Sequence, residues 1–308
     1  MTCYLHIGTE KTATTTLQNF FNMNRNTLLK KGFLYTKSAG ETNNVGLPLS
    51  VYSIDRRDEL TSLHKMYSDE DFVSYQRLTQ SKIRDEVEQY SPKSLIFSSE
   101  HIHSRLISKN EIYKLKEFLL DLGVKEFNII VYLRDPSQLA TSLYSTSIKY
   151  GSVAKSPPHP GENAYYDNIC NHKKTLETFA EIFGMDALTP RLFSKNEYIG
   201  GTIIHDFMHL LGLPLEKELV IPVNQNASLS NKGLKMMRIF NIFMPVLIKG
   251  KFNRFRNPIL KHFETYFVSD NSNKFTISDE LSEEYDKEYS SSNEWVRTKF
   301  FPHKKKLF

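Results

Sequence analysis

The sequence predicts an α/β fold in which a mainly parallel sheet is flanked by helices, and three observations predict it. Short apolar runs alternate with longer stretches whose apolar residues recur at helical spacing. Strands alternate with helices along the chain, the order that builds parallel sheets with right-handed crossovers. Hydroxyl-rich and charged segments follow the ends of those runs, where open α/β sheets hold their ligands. With 308 residues, 40% of them hydrophobic, the chain is expected to form one domain spanning 1–308.

Residues 3–7 form the first expected strand, which stops at Gly8. Leu17, Phe20, Phe21, Leu28 and Leu29 suit one helical face over 14–29; Gly32 closes that helix, and 33–35 is a short strand. Residues 38–50, rich in Gly, Asn and Ser, read as a loop. The charged stretch 53–90 carries apolar residues at helical spacing and leads into a strand at 94–97, with a loop beginning at 98–100. Lys109 opens a helix stopped by Gly123, and 127–133 is the strongest strand pattern in the chain. Pro136 suits the first turn of a helix that Gly151 ends. Pro157, Pro158, Pro160 and Gly161 mark 152–163 as a mobile loop, and helical periodicity resumes at Tyr165. A strand near 188–193 and helices near 201–211, 230–248 and 278–289 follow, so 228–308 is mainly helical.

Forty Lys and Arg against 35 Asp and Glu give a formal net charge of +5, which suits anionic small ligands or an acidic substrate and argues against an obligate nucleic-acid binder. Cys3 and Cys170 supply neither a disulfide framework nor a zinc spacing, which fits a reducing compartment. No leader pattern precedes the first strand, and the apolar stretch 239–248 is broken by Asn241 and Pro245 and too short to span a bilayer. A cytoplasmic protein without a transmembrane segment is expected.

Two segments carry chemistry. The first runs from His6 through Gly8, Thr9, Glu10, Lys11, Thr12, Ala13, Thr14, Thr15 and Thr16 to Gln18. Laid against G-x-x-x-x-G-K-[ST], Gly8 takes the first glycine, Ala13 the second and Thr15 the hydroxyl, while Thr14 replaces the lysine and the cation stands at Lys11. Backbone N–H groups at a helix start, several hydroxyls and a nearby lysine together suit a bound anion. The second segment is Arg134-Asp135-Pro136 at the end of a strand, with Ser142 eight residues beyond Arg134. A planar guanidinium and a hydroxyl at that spacing suit one phosphate.

Together these segments resemble the donor site of sulfotransferases that use 3′-phosphoadenosine 5′-phosphosulfate (PAPS). The first is similar to the family's K-[ST]-G-T-T loop, especially the bacterial carbohydrate-type form H-I-G-x-x-K-T-G-T-T-x-L-Q; the second is similar to its strand-Arg-x-Pro signature followed by Ser. The resemblance implies a three-layer P-loop-type fold and transfer of a sulfuryl group from PAPS to an acceptor hydroxyl on a saccharide or glycolipid, releasing 3′,5′-ADP without a metal ion. It also implies that Lys11 meets the oxygen bridging phosphate and sulfuryl group. By the same resemblance Thr12, Ala13, Thr14 and Thr15 bind the 5′-phosphate, Gly8 and Thr16 belong to the same cofactor loop, and Arg134 and Ser142 bind the 3′-phosphate. Ala13 departs from the family's glycine: if the backbone is left-handed there, its Cβ costs about 1 kcal/mol. Looser similarity continues through Arg191, Phe193, Asp206, Phe207, 226–230 and 292–308. Packing and capping account for most of those positions, with Ser228 and Lys232 as candidates for closing over the nucleotide.

Such a transfer needs a base beside the acceptor. Glu100, following the strand at 94–97, is the first candidate, with His101 and then His103 as rivals because histidine titrates near neutrality. Ser99 could instead cap a helix whose first turn welcomes Glu100. A zinc site at His101 and His103 lacks further ligands at a suitable spacing. The variable stretches 38–92 and 152–166 are expected on the acceptor side, where Tyr165 and Tyr166 suit either sugar stacking or core packing. Lys249, Lys251, Arg254 and Arg256, interleaved with Phe252 and Phe255, suit an acidic polysaccharide, a peripheral membrane contact or a solvated helix end; 304–306 reads as solvated. Two competing functions are a P-loop kinase, which Thr14 opposes, and a non-catalytic nucleotide-binding protein of the same fold, which Ala13 admits.

Overall fold

The computed structural model describes residues 1–223, 230–248, 251–253, 255, 256, 260 and 274–308. Five strands form one all-parallel sheet: β1 (Thr2–Gly8), β2 (Phe33–Tyr35), β3 (Ser94–Ser98), β4 (Glu126–Leu133) and β5 (Leu188–Leu192), in the order β2-β3-β1-β4-β5. β1 lies between β3, with His6 opposite Ser98, and β4, with Gly8 opposite Val131. The carboxyl ends of β3 and β4 therefore flank the segment that leaves β1, the place where such sheets hold ligands. Helices flank the sheet, as the alternating pattern predicts.

The chain forms two compact units. Unit 1 comprises Met1–Arg134, His172–Val223 and Thr298–His303. It contains the sheet and α1 (Thr14–Met23), α2 (Arg25–Lys30), α3 (Gly46–Leu49), α4 (Glu59–Leu63), α5 (Asp69–Tyr90), α6 (Glu100–Arg105), α7 (Lys109–Asp121), α10 (His172–Phe183) and α11 (Ile203–Leu210). Leu17, Phe20 and Phe21 of α1 and Ile203 and Phe207 of α11 pack on Ile96, Ile130 and Tyr132 of the sheet. Burial of each such side chain contributes roughly 1.5–3 kcal/mol.

The buried Asp206 on α11 accepts hydrogen bonds from Arg191 Nε (3.0 Å) and Nη2, Tyr132 Oη (2.8 Å) and the Ile199 amide (2.9 Å). This network ties α11 to β4 and β5, so Arg191 and Asp206 serve the interior.

Unit 2 comprises Asp135–Asn171, Asn224–Arg297 and Lys304–Phe308. It contains α8 (Pro136–Lys149), α9 (Ala164–Cys170), α12 (Asn231–Phe243), the hairpin of β6 (Leu247–Ile248) and β7 (Lys251–Phe252), and most of α13 (Asp279–Phe300). Leu139, Ala140 and Leu143 of α8, Tyr166 and Ile169 of α9, and Leu281, Tyr285 and Tyr289 of α13 form one cluster. Leu234 and Met237 of α12 pack with Tyr144 and Ile148 in another. Tyr144 Oη donates to Ala154 O (3.1 Å) and Lys155 O (3.0 Å), and Tyr285 Oη to Pro158 O (2.8 Å), so the proline-rich loop is held at several carbonyls.

Five boundaries differ from the sequence reading. The stretch 38–50, expected as a loop, holds the short helix α3. The helix expected over 14–29 divides at Asn24, whose side chain donates to Phe20 O and Val220 O and accepts from Val220 N. The segment after Ser99 is not a loop but α6: the extended Ser99 backbone opens the helix and places Glu100 in a first turn that favours an anion. α12 stops at Phe243 ahead of Pro245, which lacks the N–H a continuing helix needs. α13 extends to Phe300 because its buried stripe continues through Ser292 and Val296, with Pro302 the first proline beyond it.

Candidate active site

The loop leaving β1 is shaped by residues that tolerate unusual backbone. Gly8 has φ 105, and a Cβ there would stand 2.9 Å from Glu100 Cα, so only glycine lets the loop pass this close to the start of α6. Lys11 (φ 64) and Ala13 (φ 57) are both left-handed. The departure at Ala13 thus falls on a position where its Cβ is strained, by about 1 kcal/mol. Thr12 Oγ1 donates to Thr9 O (2.5 Å) and braces the turn, a use of that hydroxyl that the sequence does not predict.

Ala13 O accepts from Thr16 N (3.0 Å) and Leu17 N (3.3 Å), which starts α1, and no side chain caps that end. The first N–H groups of α1, with Thr14 buried, Thr15 exposed and Thr16 between, are therefore presented as donors.

Arg134 follows β4 directly. Its Nη1 donates to Lys11 O (2.9 Å), its guanidinium stacks over Phe193 at 5.4 Å, and its own carbonyl accepts from His172 Nε2 (2.8 Å). Arg134 is thereby brought onto the backbone of the loop that leaves β1. Ser142 stands half-buried on α8 in unit 2.

Glu100 opens α6 beside Gly8. Its Oε2 accepts from Gln18 Nε2 (2.8 Å) and Asn43 Nδ2 (3.0 Å), and among the described residues no hydrogen bond reaches Oε1. Gln18 comes from α1 and Asn43 from the loop after β2. That loop is tied to β3 by Asn44, which donates its amide to Ser98 O (3.0 Å) and accepts from Ser98 N (2.9 Å) at Oδ1. Neither Gln18 nor Asn43 is singled out as an active-site residue in the sequence. Gln18 at the end of the loop motif is the one available signal; Asn43 carries none.

Around Glu100 several buried polar atoms lack hydrogen-bond partners among the described residues: Thr9 Oγ1, Asn43 Oδ1, Ser99 Oγ and His101 Nδ1. Each costs about 1–3 kcal/mol unless something polar fills the space. Ser99 does not cap α6 through its side chain, so the purely structural role considered for it is absent.

His101 is half-buried, while His103 is buried and bonded to Thr175 Oγ1 (2.8 Å). Burial first, and then nearby His172, push His103 down to about 3, which holds it neutral. His6 is likewise lowered to about 3 by burial, with Nδ1 on Ser98 Oγ at 2.8 Å. Neither belongs with the groups around Glu100 as a base for neutral pH.

A cavity of about 470 Å³ opens between α2, β2 and α5, lined in part by Arg25, Tyr35, Lys37, Lys82, Glu86 and Tyr90. Among the described residues no three His, Cys, Asp or Glu gather as metal ligands. No helix among them is long and apolar enough to cross a membrane.

Tyr166 is buried in the unit 2 core, the packing alternative for that residue. Arg256, expected in a basic patch, is instead buried and donates to Asn241 Oδ1 (2.7 Å) and Met244 O (2.6 Å). Lys232 is exposed on α12; Ser228, Lys249 and Arg254 lie outside the described residues. Protein-family models, curated proteins and solved structures were each compared with the chain, and none matches it.

Proposed function

We propose that the chain transfers a sulfuryl group from PAPS to an acceptor hydroxyl, releasing 3′,5′-ADP. The observation that carries this reading is the meeting, at the carboxyl ends of β1, β3 and β4, of an uncapped helix start, the Arg134 guanidinium and a carboxylate with one oxygen that none of the described residues bonds. The close approach of Gly8 to Glu100 and the unpartnered polar atoms beside it fit a polyanionic donor and a hydroxyl acceptor. PAPS supplies an activated sulfuryl group and leaves as 3′,5′-ADP, whose departing oxygen belongs to a stable 5′-phosphate monoester.

The protein's own residues carry the rest. The α1 N–H groups, with the Thr14 and Thr15 hydroxyls, hold the 5′-phosphate. Lys11 neutralises charge that builds on the departing oxygen as the sulfur–oxygen bond to the 5′-phosphate breaks. Glu100 takes the acceptor's proton through Oε1 as the new oxygen–sulfur bond forms, while Gln18 and Asn43 hold Oε2 still. Arg134 offers a planar cation to the nucleotide's phosphate.

The acceptor side belongs to the 38–92 region, where the cavity beside α5 exposes charged and aromatic groups suited to a saccharide or glycolipid. The buried Cys3 and Cys170 thiols fit a reducing, cytoplasmic setting. Incubation with sulfur-labelled PAPS and cell-envelope extracts tests the reading: label should pass to a glycan or glycolipid fraction, and Lys11→Ala should lose it. An unlabelled extract, or undiminished transfer by Lys11→Ala, would refute it.

A further inference from the structure

Unit 2 carries a surface that the proposed reaction does not use. α12 docks through one face, with Gly233, Leu234, Met237 and Asn241 buried. Its opposite face exposes Lys232 and Lys235 in the first half and Ile239, Ile242 and Phe243 in the second, with Met236 between them. Phe243 is 77% exposed, a large apolar ring left in water at the helix end.

Two further exposed aromatic rings are held at the same end of the helix. Asn241 Nδ2 donates to Ile148 O (2.8 Å) and Ser152 O (2.7 Å), which holds the turn carrying Tyr150 against the end of α12. Arg256 bonds Asn241 and the Met244 carbonyl, which holds Phe255 there as well. Tyr150 is 81% exposed and Phe255 77%.

Charge says what covers this patch. From 219 through 263 the sequence contains eight Lys and Arg, of which Arg256 is buried, and no Asp or Glu. A second copy of the same surface would set cations against cations. A soluble polyanion would use the lysines and leave Ile239, Ile242 and Phe243 in water. A bilayer with anionic head groups satisfies both halves, the lysines at the head groups and the apolar side chains at the acyl boundary. We propose that the exposed face of α12, with Tyr150 and Phe255, docks on an anionic membrane surface. This does not depend on the chemistry proposed for unit 1.

Co-sedimentation with vesicles tests it. The protein should bind phosphatidylcholine vesicles containing about 30% phosphatidylglycerol and not phosphatidylcholine alone, with affinity falling as salt is raised. Lys232→Ala with Lys235→Ala should weaken binding on the order of 30-fold. Ile239→Ser with Phe243→Ser should weaken it by at least about 10-fold without loss of the folded circular-dichroism spectrum, since both side chains are exposed. Failure to bind anionic vesicles at low salt would overturn the proposal, as would equal binding by the Ile239→Ser, Phe243→Ser variant. Heparin binding or self-association that these variants change, without vesicle binding, would equally overturn it.

Discussion

Two carboxylates of unit 1 are built in opposite ways. Asp206 is fully buried and closed: a guanidinium, a phenol and a backbone amide all point at it, and the result joins α11 to two strands. Glu100 is half-buried and open: two neutral amides reach one oxygen, none of the described residues bonds the other, and unpartnered polar atoms stand around it. A polar group that serves stability has its hydrogen bonds completed by the fold, whereas one kept for chemistry has some left for a ligand. Read this way, Asp206 is structural and Glu100 is the group to test for catalysis.

The sharpest way to break that contrast is to change each carboxylate alone. Glu100→Gln keeps the shape and the Oε-side contact, so transfer should fall by about 10²- to 10⁴-fold while the melting temperature scarcely moves. Asp206→Ala should do the reverse, costing about 3–5 kcal/mol in denaturant unfolding because Arg191 and Tyr132 lose their partner. Equal losses of stability in the two variants would end the distinction.

Acid tests the closed interior. The folded protein holds His6 and His103 neutral down to about 3, against an ordinary value of 6.5, so below that value the unfolded chain binds protons the folded chain refuses. Stability is therefore complete above about pH 6.5 and falls on acidification by about 1.4 kcal/mol per pH unit for each histidine. Melting followed between about pH 7 and 5 should show this, with a shallower slope in His103→Gln.

Asn43→Ala removes a donor from the open carboxylate; it should lower kcat about 10-fold while leaving nucleotide affinity unchanged in calorimetry. The smallest effect belongs to the loop itself. Ala13→Gly relieves a left-handed alanine and should raise affinity for 3′,5′-ADP through roughly 0.5–1 kcal/mol, a few-fold in Kd.

Much of the fold was legible because its signals are local. The strand patterns at 3–7 and 127–133, Gly8, and Pro136 after Arg134 each announce an element within a few residues, and the sheet brings the loop, Glu100 and Arg134 to adjacent strand ends. What was not legible depends on distant partners. The break at Asn24 is completed by Val220, 196 positions away. Asn43 bonds Glu100 only because the loop after β2 is tied to Ser98, which no periodicity reveals. Ala13 is strained only if its backbone is left-handed, a condition the sequence states and the loop geometry meets. Arg256 looked like part of a cationic surface, yet its hydrogen bonds are spent on Asn241 and neighbouring carbonyls, a distinction between binding and bracing that composition alone does not make.

In the proposed donor site the β1 loop and Arg134 receive a 3′,5′-bisphosphorylated nucleotide. Titration calorimetry of the whole protein with 3′,5′-ADP, without magnesium, tests it most directly. Binding is expected at micromolar concentration, weakened by at least about 10-fold in Arg134→Ala. No heat at such concentrations, or magnesium–ATP binding as tightly as 3′,5′-ADP, would contradict it.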